Sequence, residues 1–171
     1  KEKVMAVKTT MMVANATIQG TPLVMTMKAA APNKSSQEIS VMGNTMQKTV
    51  FNGTTGYAAS RGQKKEMTAE EITKAKAESG LFKDLAYTSG ELIRIEPLEG
   101  KNAIVLKYKD SEMYYDMTSG LKVKEVKTAK GPDGKEIKVP TVYADYKEVN
   151  GVKFPHAIGI KSGPMNLDFV V

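Results

Sequence analysis

The stretch Ile104-Val105-Leu106-Lys107-Tyr108-Lys109-Asp110-Ser111-Glu112-Met113-Tyr114-Tyr115-Asp116-Met117-Thr118-Ser119-Gly120-Leu121-Lys122-Val123 decides the fold class. Ile104, Leu106 and Tyr108 alternate with their neighbours and so fall on one face of an extended chain. Met113, Tyr115 and Met117 do the same in the next segment, and Leu121 and Val123 in the third. Turn residues, Asp110-Ser111 and Ser119-Gly120, separate the three. Period-two alternation broken by tight turns at short intervals predicts an antiparallel meander.

The same grammar runs outward in both directions. Leu23, Met25 and Met27 share a parity, as do Ile93 and Ile95, then Val142, Ala144 and Tyr146, and finally Leu167, Phe169 and Val171. Further turn signals stand at Gly43-Asn44, Asn52-Gly53, Ser89-Gly90, Gly100-Lys101-Asn102, Pro132-Asp133-Gly134, Asn150-Gly151 and Ser162-Gly163-Pro164. The pattern predicts about ten or eleven strands. That many strands must curl into a barrel, split into a sandwich or wrap around something. With 171 residues and no dividing linker, a single domain over 1–171 is expected. The stretch Thr128 to Glu136 reads as a long hairpin tip.

One segment breaks the meander. In Met67-Thr68-Ala69-Glu70-Glu71-Ile72, Thr68 is a helix N-cap and Glu71, three residues on, completes a capping box. The spacing predicts a helix from about Ala69 to Ser79, stopped at Gly80. Its apolar face is thin, so it suits a lid over a sheet rather than a place in a bundle.

Composition removes several classes of chemistry. There is no Cys, which excludes disulfides, thiolate metal sites and cysteine nucleophiles. The single histidine, His156, excludes a site with two imidazoles, and no Ser, Cys or carboxylate motif stands beside it. Glu112 and Asp116 share a strand face, where paired acids are more often solvated than catalytic. Asn52-Gly53-Thr54-Thr55-Gly56 is hairpin chemistry and lacks the lysine and helix start of a phosphate loop. No metal-ligand spacing occurs, so the expectation is a non-catalytic chain with no cofactor and no metal. No apolar run reaches the length of a membrane helix. The net charge of +6 is carried almost wholly by lysine, with Arg61 and Arg94 the only arginines. Lysines that alternate with apolar residues, as in Lys122-Val123-Lys124, read as the wet side of strands and argue against specific nucleic-acid binding. Attraction to an anionic membrane surface stays open.

Methionine is the unusual term: there are 11. Its flexible, polarizable side chain fills irregular cores and also recurs in deformable apolar binding surfaces. The composition allows either a Met-built core or a cavity for chains of variable shape.

Two hairpin motifs are more specific. Tyr114-Tyr115-Asp116-Met117-Thr118-Ser119-Gly120-Leu121 carries a D-x-x-S/T-G-L turn. Tyr143-Ala144-Asp145-Tyr146-Lys147-Glu148-Val149-Asn150-Gly151-Val152-Lys153-Phe154-Pro155-His156 carries Y-x-D-Y followed by N-G-V-K-F-P. Together with Val50-Phe51-Asn52-Gly53-Thr54-Thr55-Gly56-Tyr57 and the Met67-Thr68 helix start, they resemble the outer-membrane lipoprotein-sorting (LolA/LolB-like) proteins of Gram-negative envelopes. They are similar in particular to the C-terminal domain of Bacteroidetes-type insulinase-like zinc peptidases. The resemblance spans nearly the whole chain and implies a mainly β fold: a strongly curved antiparallel sheet, an unclosed half-barrel, covered by one or a few short helices. It implies a periplasmic or envelope location and a cavity that takes lipid, acyl chains or lipoprotein. It also implies that the extreme N-terminus is missing, because Lys1-Glu2-Lys3 leads straight into an opening strand without a signal peptide.

One thin helix would leave much of such a sheet's apolar face uncovered. The candidate cavity residues are Leu23, Met25, Met27, Ile93, Ile95, Ile104, Leu106, Tyr108, Met113, Tyr115 and Met117. Two functions compete, with an enzyme that uses His156 and a nearby acid a distant third. One is a binding module that holds a lipid or acylated ligand. The other is an accessory domain of an insulinase-like zinc peptidase, without a ligand of its own and with an envelope protein as partner.

Overall fold

A computed structural model describes residues 2–82, 90–130, 134–162 and 165–171. The chain divides into two compact units. Unit 1 comprises Lys1–Leu85 with Val149–Val152 and Val170–Val171, and unit 2 comprises Ala86–Glu148 with Lys153–Phe169.

Unit 1 carries α1 (Glu2–Ala6), β1 (Thr9–Ile18), β2 (Thr21–Ala30), β3 (Lys34–Val41), β4 (Asn44–Phe51), β5 (Gly56–Ser60), β6 (Gln63–Glu66) and α2 (Ala69–Glu78). Unit 2 carries β7 (Glu91–Leu98), β8 (Lys101–Tyr108), β9 (Ser111–Asp116), β10 (Lys122–Lys130) and nearly all of β11 (Glu136–Val149), β12 (Val152–Ser162) and β13 (Met165–Val170). The thirteen strands form one unclosed antiparallel sheet, ordered β6-β5-β4-β3-β2-β1-β13-β12-β11-β10-β9-β8-β7. This is the mainly β, unclosed architecture with few short helices that the sequence leads one to expect.

Three details differ from expectation. Residues Glu2–Ala6 form a short helix, not an opening strand, and it buries no residue. There are also more strands than the turn signals suggest. The hairpins at Gln19-Gly20 and Arg61-Gly62 turn without an Asn or Asp, with φ of 48° at both Gln19 and Arg61. Glycine at the second turn position lets a two-residue hairpin close with both central residues at positive φ. Asn150-Gly151, with φ of 52° and 80°, is the same turn built from the favoured pair. The expected turns at Ser89-Gly90, Pro132-Asp133-Gly134 and Ser162-Gly163-Pro164 lie partly outside the described residues. The hairpin tip is shorter than expected, since Thr128 to Lys130 stay in β10 and Glu136 opens β11.

The capping box of α2 is complete. Thr68 Oγ1 accepts the Glu71 N–H at 3.3 Å, and Glu71 Oε2 accepts the Thr68 N–H at 2.7 Å. In unit 1 the register puts Ala14 opposite Met25 and Ala16 opposite Leu23, so these four share a face. Ala14, Ala16, Leu23 and Phe51 are buried. In unit 2 the buried cluster is Ala103, Val105 and Tyr114, with Ile93, Leu98, Val123 and Val126 packed against it.

Candidate pocket in the second unit

Register decides which side chains of unit 2 stand together. Arg94, Val105, Tyr114, Lys124 and Val142 form one cross-strand row, and Glu96, Ala103 and Asp116 another on the same face. The opposite face carries Ile95, Ile104 and Tyr115 in one row and Leu92, Leu106 and Met113 in the next. Two irregularities break the alternation read from sequence. One lies between Leu92 and Arg94, the other between Lys122 and Lys124. The extra residue in each is apolar, and both Ile93 and Val123 pack on the Ala103–Val105–Tyr114 cluster. Ile93 and Ile95 therefore do not share a face, a correction to the reading of that strand.

On the Ala103 face lies a pocket of about 600 Å³, contained wholly in unit 2. Its volume is in the range of small-molecule sites. Leu98, Ala103, Leu121, Val123, Pro140, Val142 and Ala144 give it apolar walls. Tyr143, Tyr146, Asn102, Ser119, Asp116 and Glu99 add polar groups, and Lys101, Lys124 and Lys161 supply cations.

The turn after β9 is rigidly held. Asp116 is buried, and its Oδ1 accepts the N–H of Thr118 at 3.0 Å, the N–H of Ser119 at 2.6 Å and the Ser119 hydroxyl at 2.9 Å. Its own N–H donates to the Leu121 carbonyl at 2.9 Å. The Ser119 N–H and hydroxyl hold the Asp116 carboxyl below the usual carboxylate range, against the opposing effect of burial. Tyr146 is fixed by its hydroxyl, which donates to the Lys122 carbonyl at 2.6 Å. Between the lining residues Ala144 and Tyr146, Asp145 takes a φ of 50° within β11.

A charged group sits on the same face. Arg94 Nη2 donates to Glu112 Oε2 at 2.7 Å and to the Tyr114 hydroxyl at 2.8 Å, and Arg94 Nε donates to Glu96. The Arg94 hydrogen bond lowers the Glu112 pKa, and burial raises that of Tyr114. These groups are mutually satisfied. His156 Nδ1 lies 3.0 Å from the Phe154 carbonyl on its own strand. Among the described residues, no group of three or more His, Cys, Asp or Glu could hold a metal ion, and no helix is long and apolar enough to cross a membrane.

None of the eleven sequence candidates lines this pocket. Met113 is fully buried, Leu23 is buried, and Met25, Ile93, Ile104, Leu106, Tyr108 and Tyr115 are half-buried. Met27, Ile95 and Met117 are exposed, at 39%, 55% and 48%. The structure brings Ile95, Ile104 and Tyr115 together, and separately Leu106 with Met113, on the face away from Ala103. Leu23, Met25 and Met27 stand together on β2 of the other unit. The pocket residues did leave a signal. Asp116, Ser119 and Leu121 belong to the D-x-x-S/T-G-L motif, and Tyr143 and Tyr146 to Y-x-D-Y. Two of the motifs that carry the resemblance thus contribute residues to the pocket wall.

Solved structures show the same fold. A LolA superfamily protein from Nitrosomonas europaea superposes with a TM-score of 0.59 at 10% identity, over 95% of this chain and 81% of that one. A DUF1329 family protein from Desulfovibrio piger gives a TM-score of 0.55 at 8% identity, over 99% of this chain and 85% of that one. No family model matches the chain, and no curated protein matches it in sequence. The likeness is one of fold, and the fold is LolA-like.

Proposed function

We propose that the chain is a non-catalytic, lipoprotein-sorting-like module of a Gram-negative cell envelope that holds an acyl chain in the unit 2 pocket. The observation that carries this reading is the pocket itself, with about 600 Å³ of space against apolar walls. An apolar wall exposed to water is costly to leave uncovered, and a hydrocarbon chain covers it without demanding directional partners. The polar groups at hand suit binding more than turnover. Asp116 is committed to its own turn, and the Arg94 guanidinium to Glu96 and Glu112. The family resemblance favours a periplasmic setting for such a module, by analogy of fold alone.

The test is native mass spectrometry of the purified chain, with organic extraction of any adduct. A reproducible acyl or lipid adduct supports the reading. A bare chain that also takes up no offered acyl probe overturns it. That outcome favours the other function, an accessory domain of an insulinase-like zinc peptidase that works through protein contacts.

A further inference from the structure

We infer that the pocket selects an acyl chain bearing an anionic head group, with Lys101, Lys124 and Lys161 as the cations of its lining that favour such a head. This rests on the unit 2 pocket being the acyl site. The three lysines reach its lining from three strands, β8, β10 and β12. The lining holds two acids, Glu99 and Asp116, against the three lysines. Asp116 already accepts three hydrogen bonds on Oδ1. Its Oδ2 is 3.9 Å from Lys101 Nζ, a long contact to a side chain that is 75% exposed. Lys124 lies over the Tyr114 ring at 5.0 Å, which leaves its ammonium open to a stronger acceptor. Among the described residues, neither Lys124 nor Lys161 is in an ion pair.

Lysine also suits the boundary between the two halves of an amphiphile. Its methylene stem lies along apolar surface while the ammonium stays at the wet end. A ligand whose tail covers Val123 and Val142 would lay its head on a lining that carries three ammonium groups against two carboxylates. A carboxylate or a phosphate gains from them, and a head that carries its own cation gains less.

The experiment compares three probes with the same tail on the intact chain: palmitate, 1-palmitoyl lysophosphatidylglycerol and 1-palmitoyl lysophosphatidylcholine, each below its micelle concentration. At low salt, at least one anionic probe should bind about ten-fold tighter than the zwitterionic one, a difference that three partly screened cations can supply. Preference for palmitate alone names a carboxylate head, and preference for lysophosphatidylglycerol alone names a phosphate. Either, or both together, supports the inference. The preference should shrink as salt is raised. The triple variant Lys101→Gln, Lys124→Gln, Lys161→Gln should bring the three affinities within about two-fold of one another, because residual head-group contacts are small once the cations are gone. Its melting temperature should stay close to that of the parent, since the ion pair among these side chains is the long 3.9 Å contact of the exposed Lys101. Equal binding of all three probes by the parent, or a preference that survives the triple variant, overturns the head-group assignment and leaves the acyl site standing. Binding of none of them overturns both.

Discussion

The Asp116 carboxylate accepts the Ser119 backbone N–H at 2.6 Å, and that contact closes the turn that carries Ser119 and Leu121 to the pocket wall. The turn is charge-dependent, because an ionised carboxylate accepts amide hydrogens more strongly than a neutral acid does.

A pH prediction follows from the sign of this linkage. The folded-state pKa of Asp116 is lowered, first by the Ser119 N–H, then by its hydroxyl. The stabilisation is therefore fully present above the unfolded value of about 3.9 and is lost as pH falls through the folded one. A carbon-detected NMR titration should place the Asp116 midpoint below about 3.9. Asp116→Asn should flatten the acid limb of the stability curve in that range. A midpoint at or above the unfolded value contradicts the assignment.

The helix start makes a local prediction. Thr68→Ala removes the acceptor for the Glu71 N–H and should cost about 1 kcal/mol, the usual worth of an N-cap side chain. Amide exchange should rise first in the first turn of α2. Unchanged exchange there would show that the capping box does not hold the helix end.

Two methionines from the sequence candidates separate core from surface. Met113 is fully buried, so Met113→Ala should destabilise by about 2–5 kcal/mol through lost burial and a residual cavity. Met117 is 48% exposed, and Met117→Ala should fall within about 0.5 kcal/mol of the parent. Chemical denaturation reads both. Equal effects would contradict the burial of Met113 and the exposure of Met117.

That pair also shows what was readable before the structure. The capping box at Thr68 and Glu71 is local, so its residue pattern alone announces the helix start. Hairpins ending in Gly100, Gly120 and Gly151 were readable for the same reason. The pocket was not, because its walls come from residues far apart in sequence, such as Leu98 and Val142. Alternation also misleads where a strand is apolar on both faces. In Ala103-Ile104-Val105-Leu106 the two parities are equally hydrophobic, and the structure buries Ala103 and Val105 more deeply than Ile104 and Leu106. The irregularities at Ile93 and Val123 then shift parity within their strands, which period-two counting cannot detect. Within β7 to β9, parity alone therefore selects Ile95, Ile104, Leu106, Met113 and Tyr115 on the face away from Ala103.

A steric prediction concerns unit 1. A Cβ added at Gly56 would stand 2.5 Å from the Val50 carbonyl oxygen and 2.6 Å from Met67 Sδ. The thioether can move, but the carbonyl belongs to the β4–β5 ladder. Gly56→Ala should destabilise by about 1–3 kcal/mol, as overpacking does. A melting temperature unchanged from the parent would show that the strands separate without cost.

The central claim is that the acyl site is the unit 2 pocket, and two variants test it most directly. Ala144 is exposed and lines the pocket, so Ala144→Trp should fill the space without disturbing the buried cluster. Met27 is 39% exposed on β2 and lies outside the pocket lining, so Met27→Glu changes the other candidate surface. Palmitate uptake should be measured by native mass spectrometry on both folded variants and the parent. Loss of uptake in Ala144→Trp with parent-like uptake in Met27→Glu is the predicted result. Full uptake in Ala144→Trp with loss in Met27→Glu would contradict the claim and move the site to the Leu23–Met25–Met27 face of unit 1.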